Sequence, residues 1–135
     1  MKFFILLSCI LSFSYAVKLP TNLQTSWSSV FERYYTKCLC EVSGVNTTLA
    51  SNYIKNFQCT SNHPFKCFLN CLFLKVGLID EAGGIKADEW TRRFPGITTQ
   101  VVGKCNNSLC GENDTCEIAY DFYECVLYLN FDFSV

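Results

Sequence analysis

Cysteine is the reactive residue this chain has most of: ten in 135 residues, against a single histidine. In a short secreted chain that density means covalent crosslinks rather than catalysis. Cys67 and Cys71 stand four apart in an apolar run. On a helix their side chains leave one face, about 5.4 Å apart along the axis. They cannot easily bond each other across unstrained helix, so each needs a partner on another element. Cys116 and Cys125 are nine apart, which on a helix is about 900° of rotation and opposite faces. One side of that helix can then be stitched to the helix of Cys67 and the other to the segment carrying Cys105.

Other chemistries find little support. His63 is the sole imidazole, the side chain suited to a pH-driven release switch. Just before Pro64 in a polar loop, it reads as a solvated turn residue. Small secreted helical enzymes such as calcium-dependent phospholipases need a His beside an Asp and adjacent paired cysteines. The chain has neither, so no catalysis is expected. Asp80-Glu81 lacks the regular ligand spacing of a calcium loop and reads as a solvated turn. No metal and no cofactor is expected. Asn46, Asn106 and Asn113 each open a glycosylation triplet, and Asn46 reads equally as a helix cap. Eleven Lys and Arg face twelve Asp and Glu. Without a basic excess, nucleic acid and acidic membrane surfaces are excluded as partners.

The elements that position the cysteines follow a leader. Lys2, the apolar stretch Phe3 to Phe13 and Ser14-Tyr15-Ala16 form a secretory signal peptide over residues 1–16, too short to span a bilayer. Residues 17–135 then make one domain. Cys9 leaves with the leader, so nine cysteines remain, and at least one must be free or bonded to another chain. Apolar residues at Trp27, Val30, Phe31, Tyr34, Tyr35 and Cys38 have the spacing of a first helix with one buried stripe. A second helix starts near Asn46 or Thr47, with Leu49, Tyr53, Ile54 and Phe57 inward. A third, from about Phe65 to Val76, is apolar nearly all round and therefore central. Gly77 ends it, and a fourth runs from about Lys86 to Phe94. Ile97 to Lys104 is read as a fifth helix, because a lone strand would have no partner. Asp114, as a cap with Glu117 as its reciprocal partner, opens the last helix through Tyr128.

Cys40, Cys67, Cys71, Cys105, Cys116 and Cys125 follow the pattern C-x26-C-x3-C-x33-C-x10-C-x8-C. This resembles the six-cysteine signature of insect odorant-binding proteins, whose fixed x3 and x8 gaps are both present. The words CEVSGV at Cys40 to Val45 and FKCFLNCLFLKVGLIDEAGG at Phe65 to Gly84 are similar too. The resemblance implies an all-α, six-helix, disulfide-stapled fold enclosing a hydrophobic cavity. It implies the bridges Cys40–Cys71, Cys67–Cys116 and Cys105–Cys125. Cys38, Cys59 and Cys110 depart from the basic pattern. A fourth bridge, Cys59–Cys110, is expected, because both lie just upstream of helix starts that Cys67–Cys116 would bring together. Cys38, on the buried stripe, is expected to be a quiet thiol.

Beyond the leader stand nine Phe, six Tyr and two Trp. Such a load fills a core; with crosslinks it can also enclose a void, since covalent constraint offsets lost packing. The resemblance puts Trp90, Phe94, Val101, Tyr123 and Val126 around that cavity. The tail alternates Phe131 and Phe133 with polar neighbours, and is expected to fold back as a further wall. The function implied is a secreted carrier of small hydrophobic ligands such as odorants or pheromones, monomeric or weakly dimeric, with a membrane chemoreceptor as a further partner. The alternative is a scavenger of a signalling amine or lipid on the same scaffold, which would turn acids such as Asp121 or Glu124 inward.

Overall fold

The computed structural model describes residues 16–17, 21–56, 60–130 and 133–134. Residues 1–15 of the expected leader, Phe57, Cys59 and Phe131 lie outside them. Seven helices run in chain order among the described residues: α1 (Thr21–Glu32), α2 (Tyr35–Glu41), α3 (Thr47–Asn56), α4 (His63–Val76), α5 (Ala87–Arg93), α6 (Thr99–Asn107) and α7 (Thr115–Asn130). A two-residue antiparallel ladder joins β1 (Ala16–Val17) to β2 (Phe133–Ser134), pairing Ala16 with Ser134 and Val17 with Phe133. Apart from this ladder and an isolated bridge between Ile79 and Ile85, the regular elements among the described residues are all helices.

α4 is the axis. The Asn62 side chain accepts from the Phe65 N–H at 3.1 Å, and Pro64 occupies the first turn, where a missing N–H costs nothing. Gly77 stops it in the left-handed region at φ 88°, its N–H reaching the carbonyls of Phe73 and Leu74. Between these ends Phe65, Phe68, Leu69, Leu72, Phe73 and Val76 are buried, and α7 packs along them. The Asp80-Glu81 segment is the expected turn: Asp80 Oδ1 accepts from the N–H groups of Ala82 (2.9 Å) and Gly84 (2.7 Å). Gly83 has φ 90°, and a Cβ there would stand 2.8 Å from Ile118, so this turn seats closely on α7.

The first expected helix is two. Its register breaks after Glu32, the Tyr34 N–H bonds Phe31 O at 3.0 Å, and α2 restarts at Tyr35. Trp27, Phe31 and Cys38 are nonetheless all buried, so the apolar stripe crosses the break unchanged and periodicity does not reveal it. The fifth segment is helical, as expected: Thr98 Oγ1 accepts from the Val101 N–H at 3.2 Å and opens α6. Asp114 caps α7 through the Cys116 N–H at 2.9 Å, but Glu117 turns away to Lys66 at 2.9 Å instead of reaching back.

Among the described residues three bridges lock the helices: Cys38–Cys71 joins α2 to α4, Cys67–Cys116 joins α4 to α7, and Cys105–Cys125 joins α6 to α7. Their sequence separations of 33, 49 and 20 interlock along the chain. Each closure removes unfolded-state entropy equivalent to about 3–4 kcal/mol. The first bridge corrects the expected Cys40–Cys71 pair. Two residues apart on α2, Cys38 and Cys40 point about 200° from each other. Cys38 faces the core at 0 % exposure, whereas Cys40 faces solvent as a free thiol. Cys38 is therefore no quiet thiol. Cys110 is also free and exposed, in the turn after α6, so it does not form the expected bridge to Cys59.

Candidate functional site

A cluster of aromatic rings lies between α1, α3, α4, α5 and α7. Trp90 is its hub, with ring centroids 4.9 Å from Phe122, 5.1 Å from Phe73, 5.2 Å from Phe94 and 6.3 Å from Tyr123. Phe94 in turn lies 5.0 Å from Trp27 and 5.4 Å from Phe31. Tyr53 closes the far side, 5.6 Å from Tyr123. The Trp90 Nε1–H donates to Leu78 O at 2.9 Å, fixing the indole while its faces stay apolar. The polar tips of Trp27, Tyr53 and Tyr123 lie buried within the same cluster, the few hydrogen-bonding atoms in otherwise apolar surroundings.

Trp90, Phe94 and Tyr123 thus come together, and Val126 is buried on the same helix as Tyr123. Val101 is half-buried on α6, packed against the edge of the core. Of the tail, Phe133 pairs through its backbone with Val17 in the ladder. Trp27, Phe31, Tyr53, Phe73 and Phe122 belong to the cluster as well, although the resemblance did not assign them to it. The signal was present for three of them: Trp27 and Phe31 share the first helical stripe, and Tyr53 stands on the inward side of the second.

On the outside, an open groove of about 920 Å³ runs beside α4 between the end of α2 and the turn after Gly77. Its lining is mixed, with Glu41, His63, Asn70, Lys75 and Lys86 among the polar groups. Lys75 pairs with Glu41 at 3.1 Å. Lys66 pairs with Glu117 at 2.9 Å and lies 4.6 Å from the Tyr120 ring centre, a cation over a π face. His63, Cys67 and Cys116 bring three donor atoms within 4.8 Å of one another. Two of these are the sulfurs of a disulfide, which offers a metal no thiolate. On α5, hydrogen bonding from Arg92 holds the Glu89 carboxyl below its usual range. Glu124 is buried at 5 % exposure on α7 while Asp121 is half-buried, and neither is without a partner. The three triplet asparagines are all exposed, and Asn46 Oδ1 caps α3 by accepting from the Thr48 N–H at 2.8 Å.

A crosslinked all-helical shell around an aromatic interior agrees with what comparison finds. The model of the PBP/GOBP family matches residues 23–128. Among curated proteins, the chain is similar to general odorant-binding protein 57e of Drosophila melanogaster, with 28% identity over 101 residues, covering 64% of this chain and 74% of the relative. No solved structure matches. The family match takes in every helix from α1 to α7 and all six bridged cysteines, and on that ground the chain belongs to the PBP/GOBP family of insect odorant-binding proteins.

Proposed function

We propose that this protein is a secreted, non-catalytic carrier that takes a small hydrophobic molecule, of the odorant or pheromone class, into its ring-lined interior and moves it through extracellular fluid. The observation that carries this reading is the buried cluster around Trp90, with large apolar faces and a few buried polar tips. Burial of apolar ligand surface contributes about 25 cal/mol per Å², enough for reversible capture without any reaction. In this reading Val101 and Val126 also line the space the ligand takes. The leader over residues 1–16 is cut after Ala16, leaving the ladder residue Val17 as the new amino terminus. Delivery to a membrane chemoreceptor is the downstream step of this reading.

The test is a panel of hydrophobic volatiles displacing a fluorescent probe, with indole emission followed in parallel. Both tryptophans, Trp27 and Trp90, are wholly buried in the cluster, so an occupying ligand must alter their emission. Binding without any change in indole emission would move the site elsewhere. The inward Glu124 supports a second reading, sequestration of a signalling amine. Because Glu124 is not free, apolar carriage stands first. Tight binding of a charged amine, with no volatile displacing the probe, would reverse that order.

A further inference from the structure

The three bridges are not equally placed. Cys38 and Cys71 are 0 % and 8 % exposed, and Cys105 is 0 % exposed while its partner Cys125 is half-buried. Cys67 and Cys116 are both half-buried, and both sulfur-bearing residues line the 920 Å³ groove. Cys71 borders the same groove, but its partner Cys38 is sealed in the core. The accessible bridge also has a neighbour that the other two lack among the described residues. His63 Nε2 lies 3.6 Å from Cys67 Sγ, and Glu117 stands 3.8 Å from the other ring nitrogen.

We infer that Cys67–Cys116 is a thiol-exchange site, open from the groove to a small thiol of the glutathione class, with His63 as the positioning acid beside its leaving sulfur. An incoming thiolate attacks Cys116 Sγ and forms a new sulfur–sulfur bond there. The Cys67–Cys116 bond breaks, its electron pair passes to Cys67 Sγ, and that sulfur takes the proton carried by the His63 ring. The products are a mixed disulfide on Cys116 and a thiol on Cys67. The ring regains its proton from water. Exchange rates depend on access and on how well the departing thiolate is stabilised, and this bridge is favoured on both, with two half-buried cysteines and His63 beside Cys67 Sγ. Opening it would leave the starts of α4 and α7 held by packing and the Lys66–Glu117 pair, since no other bridge among the described residues joins those two helices.

The experiment uses the full-length secreted protein with its free thiols, Cys40 and Cys110 included, first blocked by iodoacetamide. Limiting glutathione is added, samples are quenched with a second alkylating label, and peptide mass mapping follows each bridge. Cys67–Cys116 should open at least tenfold faster than the other two, with the glutathione mass first on Cys116. His63→Gln, at a site whose side chain is 59 % exposed and so tolerant of change, should slow this bridge several-fold and leave the others as they were. Bridges that open together, another bridge opening first, glutathione first on Cys67, or a rate indifferent to His63→Gln would each overturn the inference. None of these outcomes depends on whether an odorant binds.

Discussion

α5 and α6 are neighbours of nearly equal length, held by opposite means. α6 is stapled to α7 through Cys105–Cys125, yet only Val102 and Cys105 of its nine residues are buried. α5 has no cysteine; it is held by Trp90, locked among four rings and bonded to Leu78 O, with Phe94 at its end. A seven-residue helix is not stable by itself in water, so α5 exists because its indole is buried. The comparison teaches that the crosslinks and the aromatic cluster do separate jobs. A disulfide acts chiefly by limiting the unfolded chain, and asks little of the native packing next to it. A ring acts only in the native state, through contacts that a guest molecule would have to share.

Trp90→Ala is the largest expected break in this arrangement. It empties the hub of the cluster and leaves the Leu78 carbonyl with only its bond from the Lys86 N–H, lowering unfolding free energy by about 3–5 kcal/mol in urea titration, with probe binding abolished. Next comes the pair Cys105→Ser with Cys125→Ser. Its closure of 20 residues predicts a loss of about 3 kcal/mol by the same titration. Here probe affinity should stay within a few-fold of the parent, because neither sulfur belongs to the ring cluster. If the cysteine pair abolished binding while Trp90→Ala spared it, the two jobs would have been assigned the wrong way round.

That division also explains what the sequence let through and what it hid. The helix of Cys67 and Cys71, its Gly77 stop and the partners of Cys116 and Cys125 were legible, because periodicity and six-cysteine spacing report on local geometry and on a family pattern at once. The Cys40 assignment failed where those two signals conflicted. Spacing and the CEVSGV word favoured Cys40, whereas the apolar stripe already contained Cys38. A bridge to an inward α4 residue needs the inward sulfur, so helical phase decided. The convergence of Trp27, Tyr53 and Trp90 was hidden for a different reason. Each was visible on its own helix face, but which faces meet is set by long-range packing of α1, α3 and α5 that no local spacing encodes.

A smaller effect refines the account of α6. Thr98→Ala removes the oxygen that satisfies the Val101 N–H and should cost about 1 kcal/mol by thermal unfolding. If the staple alone kept α6 in place, the helix would persist in the variant, and hydrogen exchange at its first turn would rise without spreading to α7. Exchange spreading along α7 would mean that the cap, and not Cys105–Cys125, couples the two helices.

The smallest effect belongs to the surface of α5. Glu89 is paired with Arg92 and lies 3.4 Å from Arg93. Its carboxyl is held below the usual range, first by the Arg92 hydrogen bond. A carboxyl more acidic in the folded than in the unfolded chain stabilises the fold above its unfolded value, and that contribution is lost as pH falls through the folded one. Glu89→Gln should therefore lower the melting temperature slightly at neutral pH, and the parent and variant curves should converge on acidification. Added salt should shrink the difference, since exposed pairs are screened. A variant that stayed less stable at low pH would show that Glu89 supports α5 by something other than charge, and the claim that α5 exists because its indole is buried would need revising.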